Sequence, residues 1–216
     1  MPTTISSHVA IQASATLQNR PAAALATIDA VHLDGELGGA TIHGITLPDD
    51  ECGDYNWKTL VIRLNVARDD HESTLVHEIG HLVAIEGFGK GTPVCHKHRA
   101  LGAWRKAARA SETHKRLREL KKDGETVVLE NGTPTRYVFD ADEMEYLDYL
   151  LEWEELWART YCQFISIRSG SAAIQGQLQA EAVSPSGEVF TPQWPAYDFV
   201  EIELAIEDVL KERGWM

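Results

Sequence analysis

The chain has only three cysteines, at positions 52, 95 and 162, and no Cys-x-x-Cys pair. An odd number at these wide spacings excludes a disulfide framework and a cysteine-only zinc site, and it predicts a reducing cytoplasm. Apolar runs are short as well. None approaches the roughly 18–20 residues that span a bilayer, so no membrane-spanning helix is expected. Residues 1–25 carry Arg20 as their only formal side-chain charge and hold neither a basic start nor a compact apolar segment, so no secretory signal is read there. Positive charge is outnumbered, 20 Lys and Arg against 33 Asp and Glu, and the net −13 argues against general affinity for nucleic acid.

What remains is an ordinary globular composition, 44% hydrophobic and 25% charged over 216 residues, enough for one well-buried core with a modest appendage. The charge is uneven. Ten of the 20 Lys and Arg residues fall between His96 and Lys122, against Glu112 and Glu119. The default expectation is a solvated helix paired with the acidic body of its own protein. A docking surface for an acidic partner or nucleic acid is the second reading.

Residues 1–20 are expected to be loosely ordered, and residues 21–31 to form a short helix with Pro21 in its first turn. Gly35, Gly38, Gly39 and Gly44 punctuate a strand at 40–47, and residues 48–53 form an acidic turn. Residues 58–66 alternate apolar and polar types and are rich in β-branched residues, which predicts a strand. A helix follows from about 72 to 86, ended by Gly87 and Gly89. One basic helix is expected over 98–122, a hairpin over 125–129 and 135–139 around Asn131-Gly132, one acidic helix over 142–167, a loop over 170–187, and a helix over 199–213.

The chemistry lies in His77-Glu78-Ile79-Gly80-His81. Histidines at i and i+4 share a helix face, and both rings reach one metal ion; the residue after the first histidine projects beside that ion, where a carboxylate can take a proton from water. Thr74-Leu75-Val76 before and Leu82-Val83 after are uncharged and mostly apolar, as a helix through a core requires. Gly80 allows another element to approach closely. The competing reading is an ordinary amphipathic helix whose histidines are satisfied by hydrogen bonds. A catalytic zinc normally has a third protein ligand. Ala84 and Gly87 stand where the metzincin extension needs glycine and histidine, and no Gly-Thr-x-Asp stretch follows. That leaves a glutamate of the later helix: Glu152, Glu154 or Glu155. Glu155 has the small Ala158 nearly one turn later, which leaves room for the first helix.

His77, Glu78, His81, Glu155, Ala158 and Tyr161 match, position by position, a strand, an HExxH helix and a later E-x-x-A-x-x-[FY] helix. The chain thereby resembles gluzincin-like peptidase domains of phage, mobile-element and stress-regulator proteins, the ImmA/IrrE group among them. The match covers about residues 58–86 and 150–167, and the segment 193–199 looks like the C-terminal part of phage-associated versions. The resemblance implies an α+β, zincin-like fold: a small mixed sheet, its edge strand (residues 58–66) packed on the HExxH helix, and a glutamate-bearing helix. It implies Zn2+ on His77, His81 and Glu155, with Glu78 as general base. The organisation expected is a domain at 21–170 with a basic helical and hairpin insertion at about 90–140, then a loop and helix at 171–216.

Other residues are weighed against plainer roles. Cys95, His96 and His98 offer metal ligands, but a loop histidine pair is more often just exposed. His32, His43 and His71 have no motif partner, and exposure or local hydrogen bonding is their default. Tyr161, Trp153 and Trp157 are expected in the core. Tyr137 and Tyr146 are candidate transition-state donors, and Asp140, Asp142 and Asp148 candidate supports for a metal-bound histidine. The leading expectation is a zinc metallopeptidase hydrolysing peptide bonds in a specific protein substrate. The alternatives are an inactive, zinc-stabilised interaction or regulatory module working through residues 96–122, and a zinc hydrolase of non-peptide amides.

Overall fold

The computed structural model of the chain describes residues 4–216 except 13–16, 18, 34–36, 49–50, 131, 184–188 and 191. Gly35, the middle of the acidic turn, Asn131 of the hairpin turn and the last part of the 170–187 segment therefore lie outside the described residues. Four strands, β1 (Val9–Ile11), β2 (Ala40–Ile45), β3 (Gly53–Asn56) and β4 (Val61–Asn65), form one sheet in the order β1-β2-β4-β3. β1 and β4 run parallel to β2, and β3 runs antiparallel to β4. A hairpin of β5 (Glu125–Glu130) and β6 (Thr133–Val138) stands apart. Eight α-helices complete an α+β chain among the described residues. None is long and apolar enough to cross a membrane.

α2 (His71–Leu82) lies against β3 and β4, α1 (Asn19–Asp29) packs on α2, and α2 continues into a π-helical turn at Val83–Phe88. Leu75, Val76, Ile79 and Leu82 follow helical periodicity and are fully buried. α6 (Trp153–Ser169) crosses α2 on its other side, and Leu156, Trp157, Tyr161, Phe164 and Ile165 join the same core. α8 (Ala196–Glu212) adds Phe199, Ile202, Ile206 and Leu210. Burying each large side chain is worth roughly 2–3 kcal/mol, and the core gathers most of them around α2 and α6.

Several expected boundaries are corrected. The N-terminus is not loose throughout. Ile5 is fully buried, β1 extends the sheet, and the Ser6 amide donates to Asp29 at 3.0 Å. A three-residue parallel strand depends on distant partners and leaves no local signal. The basic helix is two helices, α3 (Gly102–Ala110) and α4 (Glu112–Asp123), divided at Ser111. Ser111 is extended; its hydroxyl accepts the His114 amide, and Asp198 accepts the amides of Glu112 and Thr113. The acidic helix is likewise two, α5 (Ala141–Leu151) and α6, divided at the extended Glu152. Buried Arg159 donates to the Leu150 carbonyl oxygen left at that break. The expected loop after Gly170 holds α7 (Ala172–Ala182), capped by the Ser171 hydroxyl.

The expected insertion at 90–140 is also not one appendage. α3 belongs to the main core: Trp104 is fully buried, packs edge-on against Trp157, and donates from its indole to Thr160. α4 and α5 share a second, smaller core of Leu117, Leu120, Phe139, Leu147, Leu150 and Phe190. Part of the basic charge is used within the chain. Arg105 donates to the Cys95 and His98 carbonyl oxygens, Arg109 sits 4.8 Å over the Trp153 ring, and Lys121 pairs with Asp148.

Candidate metal centre

α2 starts where α7 can satisfy it. Gln177 accepts the Ser73 amide at 2.8 Å, one of the amide groups that a helix start leaves without a partner, and donates to Glu72. One turn further the helix presents His77 and His81 on one face, their rings 4.9 Å apart. Gly80, between them, meets α6. A Cβ there would lie 3.0 Å from the Ala158 Cα and 3.2 Å from the Tyr161 ring, so any larger residue would push the two helices apart by a few tenths of an ångström. The Trp157 indole donates to the Gly80 carbonyl oxygen at 3.0 Å and locks the crossing.

This crossing carries Glu155 to the histidines. Its Oε2 lies 3.2 Å from His77 Nε2 and its Oε1 3.0 Å from His81 Nε2, while the two imidazole Nε2 atoms are 3.2 Å apart. Tetrahedral zinc with bonds of about 2.0–2.1 Å requires ligand separations of roughly 3.3 Å. Glu155 Oε2 is buried and completes no hydrogen bond, although it faces the His77 ring. Three donor atoms aimed at one point, one of them orphaned, fit a bound cation, and His77, His81 and Glu155 can hold a metal ion. Glu155 also lies in the first turn of α6, where the helix dipole favours a carboxylate. Burial alone would raise its carboxyl, but the two imidazoles beside it outweigh burial and hold it well below the usual range. Burial likewise works against a charged His81, and the neighbouring Glu155 overturns it, raising that imidazole.

Glu78 stands beside the trio and is only 6% exposed. Burial pushes its carboxyl above the ordinary value, against the pull of His77 and His81. A cleft of about 340 Å³ opens beside these groups, lined by Glu78, His81 and Glu155 together with Tyr55, Trp57 and Tyr149. Its rim includes Gly53 and Asp54 of β3. The strand expected at 58–66 is therefore not the edge. β4 takes residues 61–65 and lies inside the sheet between β2 and β3, with Ile62 and Leu64 fully buried. The edge beside the cleft is the more polar β3, as free edges usually are. Gly53 is required there, because a Cβ would fall 2.7 Å from both the Arg63 carbonyl oxygen and the Thr74 side chain of α2.

The remaining candidates separate cleanly. Glu154 lines the cleft outside the donor trio, and Glu152 is the exposed residue at the helix break. Cys95 is buried, and its thiol is pushed far up by that burial; among the described residues only His77, His81 and Glu155 form a metal-binding group. Tyr161 is in the core, its hydroxyl 2.7 Å from His32 Nδ1. His71 is buried too, with Nε2 2.9 Å from the Asn65 carbonyl oxygen. Tyr137 donates to Glu143, and Tyr146 packs on Phe190, so neither faces the cleft. Asp140 caps α5 and Asp148 pairs with Lys121, which removes both as supports for a histidine.

Tyr149 is the residue that the sequence concealed. It lines the cleft with 42% of its surface exposed, and its phenol is raised above the ordinary value by the burial of the remainder and by the charge of Glu155 beside it. Only the break at Glu152 turns it toward the donors, and nothing in the local composition announces that break. Set against protein-family models, curated proteins and solved structures, the chain finds no match.

Proposed function

We propose that the chain is a zinc-dependent metallopeptidase with a zincin-like fold of the gluzincin kind, akin to the ImmA/IrrE group, that hydrolyses peptide bonds in a specific protein substrate. The observation that carries this reading is the convergence of His77, His81 and Glu155, with Glu78, His81 and Glu155 lining an open cleft. Two imidazoles and one carboxylate are a common catalytic zinc set and leave a fourth position for water or substrate. A zinc ion there supplies an electrophile that acidifies water and polarises a carbonyl group. Glu78 takes the proton of the attacking water at its carboxylate and passes it to the leaving amide nitrogen. The free edge of β3 offers backbone donors and acceptors to an extended peptide, which adds as a further strand. The three free thiols accord with a reducing cytoplasm as the place of action.

The test is metal-dependent cleavage. Protein loaded with one zinc per chain is incubated with a peptide mixture made by cutting a proteome at methionine, which leaves acidic and basic residues inside the peptides, and new termini are read by mass spectrometry. Cleavage is expected, with loss on chelation and recovery on adding one equivalent of zinc. Absence of any chelator-sensitive product from the loaded protein counts against the peptidase reading.

Tyr149 is placed as the donor to the carbonyl oxygen as negative charge develops on it. Tyr149→Phe keeps the ring in the cleft wall and removes only the hydroxyl. It is expected to lower kcat roughly 100-fold with little change in KM and metal content. An unchanged kcat would reduce Tyr149 to a wall residue.

A further inference from the structure

We infer that Glu154 selects a lysine or arginine side chain in the peptide, next to the bond that is cut. The inference rests on the peptidase reading and concerns what that cleft admits. Among the described residues four carboxylates line it, Asp54, Glu78, Glu154 and Glu155, and no lysine or arginine does. Three of them have other work. Asp54 is bound by the Arg63 guanidinium, whose Nε donates at 2.6 Å. Glu155 belongs to the donor trio, and Glu78 stands beside it. Glu154 is left over. Its Oε1 is buried without a hydrogen bond, and its one ion-pair neighbour is His96, whose Nδ1 is 3.7 Å away. At 3.7 Å the imidazole makes no hydrogen bond to that oxygen, and an unpaired carboxylate oxygen in a cleft calls for a cationic donor.

Adjacent residues on a helix point about 100° apart, so with Glu155 directed at α2, Glu154 is turned to another part of the cleft. The walls suit the rest of such a side chain. Tyr55, Trp57, Pro93 and Ile85 give apolar surface for a long aliphatic stem. The Trp57 ring has the Lys58 ammonium 5.5 Å from its centroid, so the ring accepts a cation as a neighbour. The Tyr55 hydroxyl is also buried without a partner and adds a second unspent polar atom in the same cleft. A neutral or acidic side chain would leave Glu154 Oε1 unpaired, whereas lysine and arginine supply donors and opposite charge together.

The experiment uses the zinc-loaded full chain and the same peptide mixture, which retains internal lysine and arginine. Wild type, Glu154→Gln, Glu154→Lys and Glu78→Gln are compared, with metal content measured for each. Expected are Glu78-dependent cuts with lysine or arginine enriched at one position within about three residues of the cut. For a chosen peptide pair, the wild-type preference for lysine over alanine at that position is expected to be roughly 10- to 100-fold. It should shrink toward one in Glu154→Gln and turn to acidic residues in Glu154→Lys. Glu78-dependent cuts with no basic preference, or with one that the Glu154 variants leave unmoved, overturn the inference and leave the peptidase reading standing. Loss of metal from Glu154→Gln overturns it too, because Glu154 would then support the metal rather than choose the substrate. An absence of Glu78-dependent cuts in all four proteins removes the peptidase reading and this inference with it.

Discussion

Glu78→Gln is expected to keep one metal per chain and to lose peptide hydrolysis by about 10²- to 10⁴-fold, the contribution of a positioned general base. The two effects separate because Glu78 is beside the ligands and not among them. His77, His81 and Glu155 lie 3.0–3.2 Å from one another, and Glu78 takes no part in that trio. Glutamine preserves shape and removes the ability to accept a proton. Stability should not fall with activity. Glu78 is buried, and burial disfavours its charged form, so a neutral amide in the same space relieves a desolvation cost while losing attraction to the two imidazoles. Metal analysis, a melting curve and single-turnover cleavage on one preparation give the three readings. Cleavage at the wild-type rate would deny Glu78 its role. Loss of metal would make it a ligand, and either result sends the mechanism back to its start.

How much of this was legible in the sequence depends on how local each signal is. The HExxH helix is visible because its information lies within a dozen residues: histidines four apart, apolar residues at Leu75, Val76, Ile79 and Leu82, and Gly80 at the crossing point. The third donor is harder. Glu152, Glu154 and Glu155 share one acidic stretch, and the residue pattern alone leaves all three open. Helix geometry separates them, because the helix begins at Trp153 and turns only Glu155 onto α2. The breaks at Ser111 and Glu152 were hidden for a common reason. Neither has glycine or proline, and each is held by a side chain outside its own few residues, Asp198 from far along the chain for the first and Arg159 from inside the next helix for the second. Tyr149 was lost with the second break. The edge strand was misplaced because residues 61–65 carry the stronger β pattern. That pattern marks a strand buried inside the sheet, and the four-residue β3, with Asp54 and Asn56, carries no strand pattern of its own.

Glu155→Ala is expected to bring metal content from one per chain to less than about a tenth, and to make the protein indifferent to chelators. With Glu155 gone, the remaining pair of imidazoles is only the helix i,i+4 pair, and α6 supplies nothing to close the site. The stability consequence can be bounded. A metal present at about 1,000 times its dissociation constant stabilises the folded state by about 4 kcal/mol. For a chain of this size each kcal/mol moves the melting temperature by roughly 2–4 °C, so chelation of the wild type should lower Tm by about 8–16 °C. Loss of the carboxylate from the first turn of α6 costs a further 0.3–1 kcal/mol or so through the helix dipole, much less than the metal-linked effect. The metal-free wild type and Glu155→Ala should therefore melt within a few degrees of each other, and zinc should raise only the former. A control at Glu152, exposed at the helix break, distinguishes the site from the general acidity of the stretch: Glu152→Ala should retain its metal and its response to chelation. If Glu155→Ala still bound one metal tightly and Glu152→Ala did not, the ligand assignment on α6 would be wrong, and the crossing at Gly80 and Ala158 would be a packing feature with no metal chemistry behind it.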